Sequence, residues 1–175
     1  YTKYPHEIKL IYGDVKIYEY ENQTSNDYQI FKILFKYETI DEVINNIQDL
    51  LNTDLIEQYV NEINNYDVKD EKSLKQYMLH SNYKLIIYDF MLFSKIHKCG
   101  FTLYTNEDGN KKEFSIKLLI DEDYVSPDTM IYNFYRDIDD KIIKQIGEGI
   151  FLKDLFKKIR FKNFLRKYHK NIYEI

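Results

Sequence analysis

The sequence contains no alanine and no tryptophan, and it has only three arginines, five glycines, two prolines and one cysteine in 175 residues. A single cysteine, Cys99, excludes an intramolecular disulfide and with it the class of small secreted domains that disulfides stabilise. The glycines fit neither a phosphate-binding loop ending in Gly-Lys-Ser/Thr nor the dinucleotide motif Gly-x-Gly-x-x-Gly. The sequence therefore carries neither of these nucleotide-binding motifs.

Long apolar runs are also missing. The longest, residues 85–93, is interrupted by Asp89 and is less than half the roughly 20 residues that a membrane-spanning helix needs. No signal peptide is visible either. The sequence thus predicts a protein without a membrane span, and together with the single cysteine it favours an intracellular location, cytoplasmic or nuclear.

What the chain has in quantity is tyrosine, phenylalanine, isoleucine, lysine and asparagine, including 18 Tyr and 11 Phe. These residues have A/T-rich codons, so the composition predicts an A/T-rich genome, such as that of a protist, a large DNA virus or a low-GC bacterium. The abundance of tyrosine is then weak support for a binding surface. The 44% hydrophobic content and the length predict one globular domain, residues 1–175, with a substantial core.

Alternating and helical periods divide the first half of the chain into strands followed by helices. Thr39 and Glu42 have the spacing of a capping box, which marks the start of the first helix. The predicted strands are residues 8–12, 15–20 and 28–37, and the predicted helices are residues 40–51, 55–63 and 70–78.

The second half repeats this order. Residues 84–93 read as a central strand, and Asp108-Gly109 predicts a hairpin between strands 101–105 and 113–120. Ser126-Pro127-Asp128 has the composition of a helix start, and apolar residues recur at helical spacing afterwards. We therefore expect a helix over residues 130–146 that ends at Gly147 and Gly149, with Phe134 and Ile138 on its buried face.

These elements predict the α+β class. The expected architecture is a mixed or antiparallel sheet of about six strands in two blocks, ordered βββ-helices-βββ-helices, with helices packed on one face. A duplication of two βββαα units is an alternative, although the halves share no residue-level similarity.

Few residues suggest a catalytic or metal-binding site. His97-Lys98-Cys99 has too few ligands for a zinc site, and the interpretation preferred for it is a strand-end histidine beside a buried thiol. Acidic residues cluster at 121–123 and again at Asp137, Asp139 and Asp140, where we expect solvated surface rather than a cation site. The sequence predicts no cofactor and no metal, and it favours a non-enzymatic protein over an enzyme.

Charge is distributed unevenly. Residues 141–175 contain ten basic and three acidic residues, a net charge of +7, whereas the rest of the chain has 15 basic and 26 acidic residues, a net charge of −11. Aromatic residues are interleaved with the basic ones. At 100° per residue, Leu152 and Leu155 fall on one side of a helix, and Phe161, Phe164 and Tyr168 fall on the opposite side.

Three explanations of this basic, aromatic and helical C-terminal segment, residues 150–175, stay open. It packs on the acidic body with its lysines pointing outward, it binds a protein partner, or it binds nucleic acid or an anionic membrane. Removing the segment should destabilise the fold in the first case and abolish binding in the others. The candidate partner-binding residues are Lys157, Lys158, Phe161, Phe164, Arg166, Lys167 and Tyr168.

The function expected from the sequence is that of a non-enzymatic protein–protein interaction or structural module, such as a piece of a larger assembly. The alternative is a nucleic-acid-binding accessory protein that uses the basic C-terminal segment. The sequence does not identify a partner or an oligomeric state.

Overall fold

The structure, a computed structural model, describes residues 6–11, 26–106, 113–136 and 143–159. It is an α+β fold with one mixed sheet, as predicted. The chain divides into two compact units, and the division falls after Leu92, inside a helix. The helical unit contains residues 26–92, and the sheet unit contains residues 6–11 and the described residues from Phe93 onward. A single cooperative unfolding transition would support the prediction of one domain, which stays a prediction.

The helical unit is formed by short helices whose starts are marked by polar side chains. The Thr39 hydroxyl accepts from the Glu42 N–H at 3.1 Å, and the Asn52 side chain accepts from the Leu55 N–H at 2.8 Å. These bonds satisfy N–H groups that lack a partner within the helix. The helices are α1 Tyr28–Leu34, α2 Ile40–Gln48, α3 Thr53–Ile63, α4 Glu71–Met78 and α5 Ile87–His97.

The predicted strand over residues 28–37 is wrong, because this segment forms α1. Tyr28 and Phe31 are fully buried whereas Ile33 is 48% exposed, which is a helical spacing and not an alternation. The run of aromatic and β-branched residues favours a strand by propensity alone. Packing inside the helical unit overrides that propensity.

The predicted central strand over residues 84–93 is also wrong, because the chain forms α5 from Ile87. Residues 90–94 are all buried, so no polar stripe shows a helical period in the sequence. A buried helix and a buried strand give the same uninterrupted apolar run.

The sheet unit contains four consecutive strands, β2 Gly100–Asn106, β3 Glu113–Ile120, β4 Met130–Arg136 and β5 Ile143–Phe151, and β1 His6–Ile11 adds to β3. The order is β1-β3-β2-β4-β5, with β2 and β4 parallel and the other neighbours antiparallel. The antiparallel pair β2–β3 confirms the predicted hairpin strands. Phe101 of β2 and Phe134 of β4 are fully buried, with ring centroids 5.9 Å apart.

The predicted helix over residues 130–146 is wrong, since it contains β4 and the start of β5. The Thr129 N–H donates to the Ser126 carbonyl at 3.1 Å, so residues 126–129 form a turn with Pro127 in its second position. Proline suits both that position and the first turn of a helix. Phe134 is buried as predicted, but on a strand, and Ile138 lies outside the described residues.

Gly147 and Gly149 lie within β5 and do not end a helix. Both have positive φ, +68° and +119°, where the register with β4 shifts between Ile131 and Asn133. Glycine is the residue that adopts such angles without a steric penalty, and it therefore permits the irregularity that bends β5.

The predicted six strands in two blocks are not confirmed. Helices precede the four consecutive strands, and of the predicted first block only the strand over residues 8–12 matches a strand, β1. The predicted strand over residues 15–20 lies outside the described residues. Within the part of the chain that the structure describes, no helix is long and apolar enough to cross a membrane.

Candidate functional site

The segment predicted to bind a partner begins with α6, Leu152–Ile159, directly after β5. Leu152 and Leu155 are buried, and α6 packs against β4 and β5. Two backbone bonds fix its start: the Leu152 N–H donates to the Thr129 carbonyl at 2.9 Å, and the Lys153 N–H donates to the Pro127 carbonyl at 3.1 Å. Leu152 and Leu155 of α6 are therefore already covered by the sheet unit.

Lys157 is the predicted site residue whose side chain the structure describes. It is 78% exposed, and its Nζ lies 4.0 Å from the Asp154 carboxylate, an exposed pair that adds little stability. Lys157 is 140° from buried Leu152 around the helix axis at 100° per residue, so it projects from the far side of α6. Lys158 lies in α6, but its side chain is outside the described part, as are Phe161, Phe164, Arg166, Lys167 and Tyr168.

The helical unit has a polar centre that was not predicted from the sequence. It consists of Asp89 and the hydroxyls of Tyr28, Tyr59 and Tyr83, and we call it the Asp89 cluster. Asp89 Oδ1 accepts from Tyr28 at 2.5 Å and from Tyr59 at 2.7 Å. Asp89 Oδ2 accepts from Tyr83 at 2.6 Å and from the Ile86 N–H at 3.0 Å. All four side chains are fully buried.

Asp89 has this position because it is the third residue of α5. From there its carboxylate reaches back to the Ile86 N–H, one of the N–H groups at a helix start that has no partner within the helix. The partial positive charge at the start of α5 also favours a carboxylate there. Tyr28 comes from α1, Tyr59 from α3 and Tyr83 from the connection between α4 and α5, so one side chain bonds to three other parts of the unit.

Burial raises the pKa of Asp89 above its ordinary value, and the hydrogen bonds from Tyr28, Tyr83, the Ile86 N–H and Tyr59 oppose that rise. Burial and the neighbouring carboxylate also raise the pKa of Tyr28 and Tyr83 well above the usual value for a phenol. The tyrosines therefore remain protonated donors at neutral pH. The carboxyl group keeps acceptors directed at all four donors as long as it is ionised.

A second set of buried polar bonds lies beside this cluster. The Asn26 side-chain amide donates to the Met78 carbonyl at 2.9 Å and to the His80 carbonyl at 2.8 Å. Asp27 donates its N–H to the Tyr83 carbonyl at 3.0 Å and accepts from the Leu85 N–H at 2.9 Å. Residues 26 and 27 thus provide partners for the backbone of the connection that carries Tyr83.

In the His97-Lys98-Cys99 segment Cys99 is buried, as expected, but His97 ends a helix and not a strand. Lys98 has a left-handed φ of 52° and joins α5 to β2. Burial raises the pKa of Cys99 to about 12, so the group is a neutral thiol at physiological pH. Nucleophilic cysteines need the thiolate, and Cys99 in this folded form does not supply it.

The acidic clusters do not form a cation site in the described part of the chain. The Asp121 carboxylate accepts from the Asp123 N–H at 3.0 Å and caps the short 3₁₀ turn Glu122–Tyr124. Asp137, Asp139 and Asp140 lie outside the described residues. Among residues 26–106, 113–136 and 143–159 no group of three or more histidine, cysteine or acidic side chains is arranged to hold a metal ion.

Comparison with known proteins gives no family for this arrangement. No model of a known protein family matches the chain, and no curated protein matches its sequence significantly. The proposals below therefore depend on the residues and contacts of this chain.

Proposed function

We propose that the chain is a non-enzymatic protein–protein interaction or structural module that binds a protein partner through residues 150–175. The observation that carries the proposal is the orientation of α6. Its leucine side is buried in the sheet unit, and Lys157 on the far side is 78% exposed. The module is thus anchored by one side of the segment and keeps the other side for a partner.

The sequence beyond α6 extends this far side. If the helical period continues, Phe161, Phe164 and Tyr168 fall within about 45° of Lys157 around the axis and opposite Leu152 and Leu155. Aromatic side chains bury large areas at protein interfaces, and lysine or arginine around them favours an acidic partner surface. The net charge of +7 over residues 141–175 supports the same kind of partner.

The first experiment separates anchoring from binding. Deleting residues 160–175 keeps Leu152 and Leu155, so we expect the sheet unit to stay folded and partner binding to be lost. The partner is sought as the protein that co-purifies with the intact chain from its native source, and binding is then measured with both proteins pure. Unchanged affinity after the deletion would overturn the proposed site.

A charge variant is the sharper test, because it spares the apolar contacts. Replacing Lys157, Lys158, Arg166 and Lys167 by Gln should weaken partner binding and leave the unfolding curve unchanged. A matched variant removes the same charge elsewhere, at four lysines that the structure shows exposed and that we expect to be neutral for binding: Lys36, Lys69, Lys72 and Lys98.

Nucleic-acid binding is the outcome that would replace this function. Under that alternative the intact chain binds RNA or DNA at low salt, and its affinity falls steeply as the salt concentration rises. The charge variant at Lys157, Lys158, Arg166 and Lys167 should then show a smaller salt slope. A protein partner together with no measurable nucleic-acid binding at low salt supports the proposal.

A further inference from the structure

We propose that the Asp89 cluster is a proton-controlled latch, in which one proton on the Asp89 carboxyl group changes how tightly the helical unit is held together. The latch joins α1, α3 and the connection before α5 to a single side chain. A change in the protonation of Asp89 therefore alters hydrogen bonds to three parts of the unit at once.

The groups that face Asp89 are three hydroxyls and one backbone N–H, contributed by Tyr28, Tyr59, Tyr83 and Ile86. No lysine, arginine or histidine of the described residues pairs with Asp89. Lys84, five positions before Asp89 in the sequence, lies 3.9 Å from Asp27. The charge of Asp89 is thus stabilised by hydrogen bonds and by the start of α5, with no ion pair.

The ionised and protonated states of Asp89 carry different free-energy penalties. The ionised carboxyl satisfies all four donors, but it places a negative charge in the interior, where a charge is expensive. The protonated carboxyl removes that charge, but it turns one acceptor position into a donor. One of the four groups must then stop donating to it, and a tyrosine hydroxyl can accept from the new O–H instead. Because burial is the larger effect on the pKa of Asp89, the folded unit takes up a proton at higher pH than the unfolded chain does.

The direction of the pH effect follows from this difference. A carboxyl group whose folded pKa is raised contributes stability that is complete below its unfolded pKa and is lost as the pH rises through the folded pKa. The latch is therefore tighter below the ordinary aspartate pKa than above the raised pKa of Asp89, and it loosens as the pH rises between those two values. Above both values the four hydrogen bonds must offset the buried charge.

The direct test is carbon-13 NMR of the full chain labelled at its aspartate carboxyl carbons, titrated with acid. Asp89→Asn removes one signal and so assigns it. We expect the Asp89 signal to titrate above the range that is ordinary for exposed aspartates. A midpoint within the range of the exposed groups would overturn the proposal.

Tyr59→Phe tests whether the hydrogen bonds of the cluster control the protonation of Asp89. The substitution keeps the ring and removes one of the hydrogen bonds that oppose the raised pKa of Asp89. We expect this variant to increase the proton affinity of Asp89 about tenfold, which is one pKa unit. The matched control is Tyr66→Phe, since Tyr66 is 86% exposed, and it should leave the Asp89 midpoint unchanged. An unshifted midpoint in Tyr59→Phe would contradict the latch.

Amide hydrogen exchange gives a second readout that does not depend on the NMR assignment. After correction for intrinsic rates, the amides of α1 and α3 should become more protected in the natural chain as the pH falls through the Asp89 midpoint. Asp89→Asn should lack that step. If Asp89→Asn does not fold, Tyr59→Phe replaces it, and its step should lie at higher pH. Protection that varies with pH identically in all three proteins would refute the proposal.

Discussion

The helical unit and the sheet unit differ in the interactions that fix the arrangement of their helices and strands. The helical unit buries two carboxylate side chains, those of Asp27 and Asp89, and its cluster bonds join residues up to 61 positions apart. In the described sheet unit the buried polar side chains are neutral: Ser94, Thr102, Thr129 and Gln145. The helical unit is thus specified by side chains, and the sheet unit by its backbone ladder.

The reason lies in how each element satisfies its backbone. A helix forms its hydrogen bonds internally, so packed helices can slide or rotate unless side chains prevent it. A strand bonds to its neighbours, and a slip by one residue moves every side chain to the wrong face. We therefore expect substitutions of single polar side chains to affect the helical unit most, and changes of apolar volume or backbone angle to affect the sheet unit most.

The largest effect should come from Asp89→Ala. The substitution removes the shared acceptor of the buried Tyr28, Tyr59 and Tyr83 hydroxyls. At about 1–2 kcal/mol for each lost bond, we expect a total loss of about 3–6 kcal/mol. Urea unfolding followed by amide exchange in α1 and α3 measures it. Asp49→Ala, at an exposed position, is the control and should change stability by less than about 0.5 kcal/mol. Equal effects of the two substitutions would mean that the Asp89 cluster does not specify the helical unit.

Phe134→Ala tests the sheet unit at its apolar core. Phe134 is fully buried against Phe101, and the truncation should cost about 3–5 kcal/mol through lost contacts and a cavity. Phe151→Ala removes the same group at a position that is 42% exposed and should cost less than about 1 kcal/mol. Thermal or urea unfolding of both variants checks this, and a small loss for Phe134→Ala would mean that this face is not the core.

The irregularity in β5 supplies a smaller and more local test. A Cβ on Gly149 would lie 3.0 Å from Met130 Sδ, whereas one on Gly147 would have no neighbour within 4 Å. Both residues have positive φ, so alanine is strained at each, at about 1–2 kcal/mol. We expect urea unfolding to show that Gly149→Ala is more destabilising than Gly147→Ala. The reverse order would mean that the close contact with Met130 does not limit the residue at position 149.

The smallest expected effect is at a helix start. Asn52→Ala removes the acceptor for the Leu55 N–H and should cost about 1 kcal/mol. Asn52→Asp keeps an acceptor and serves as the control, with stability close to that of the natural chain. Fraying of the first turn of α3, measured by amide exchange, should accompany the loss in Asn52→Ala but not in Asn52→Asp.

The sequence predicted the parts of the fold that have local signals. The predicted helices 40–51, 55–63 and 70–78 correspond to α2, α3 and α4, and the Thr39–Glu42 capping box marked the start of the first. The strands of the β2–β3 hairpin lie on either side of Asp108-Gly109. These signals act between residues a few positions apart. They can therefore be read without knowing which elements pack together.

The errors fall where the pattern depends on distant packing. In α5, burial of residues 90–94 removes the polar stripe that would have shown a helix. In β4 and β5, apolar residues happen to recur at helical spacing, and Pro127 suits a turn as well as a helix start. The decisive contacts, β2 beside β4 for example, join residues about 30 positions apart and leave no local trace.

The same limit explains why the Asp89 cluster was missed. Asp89 was visible as the single charge within the apolar run of residues 85–93. A charged side chain is almost never fully buried unless a polar or charged side chain pairs with it. Its partners come from positions 28, 59 and 83. Nothing in the spacing distinguishes these three from the other tyrosines among the 18 of the chain.

Tyr28 and Tyr83, two of the phenols on the Asp89 carboxylate, also set an alkaline limit for the helical unit. Ionising Tyr28 or Tyr83 would place a second negative charge beside Asp89, which is why the pKa of each is raised well above 10.0. Stability that depends on the protonated phenols is complete below the ordinary tyrosine pKa and is lost as the pH rises above it. In a spectrophotometric titration these phenols should ionise last, in the same step in which the unit unfolds.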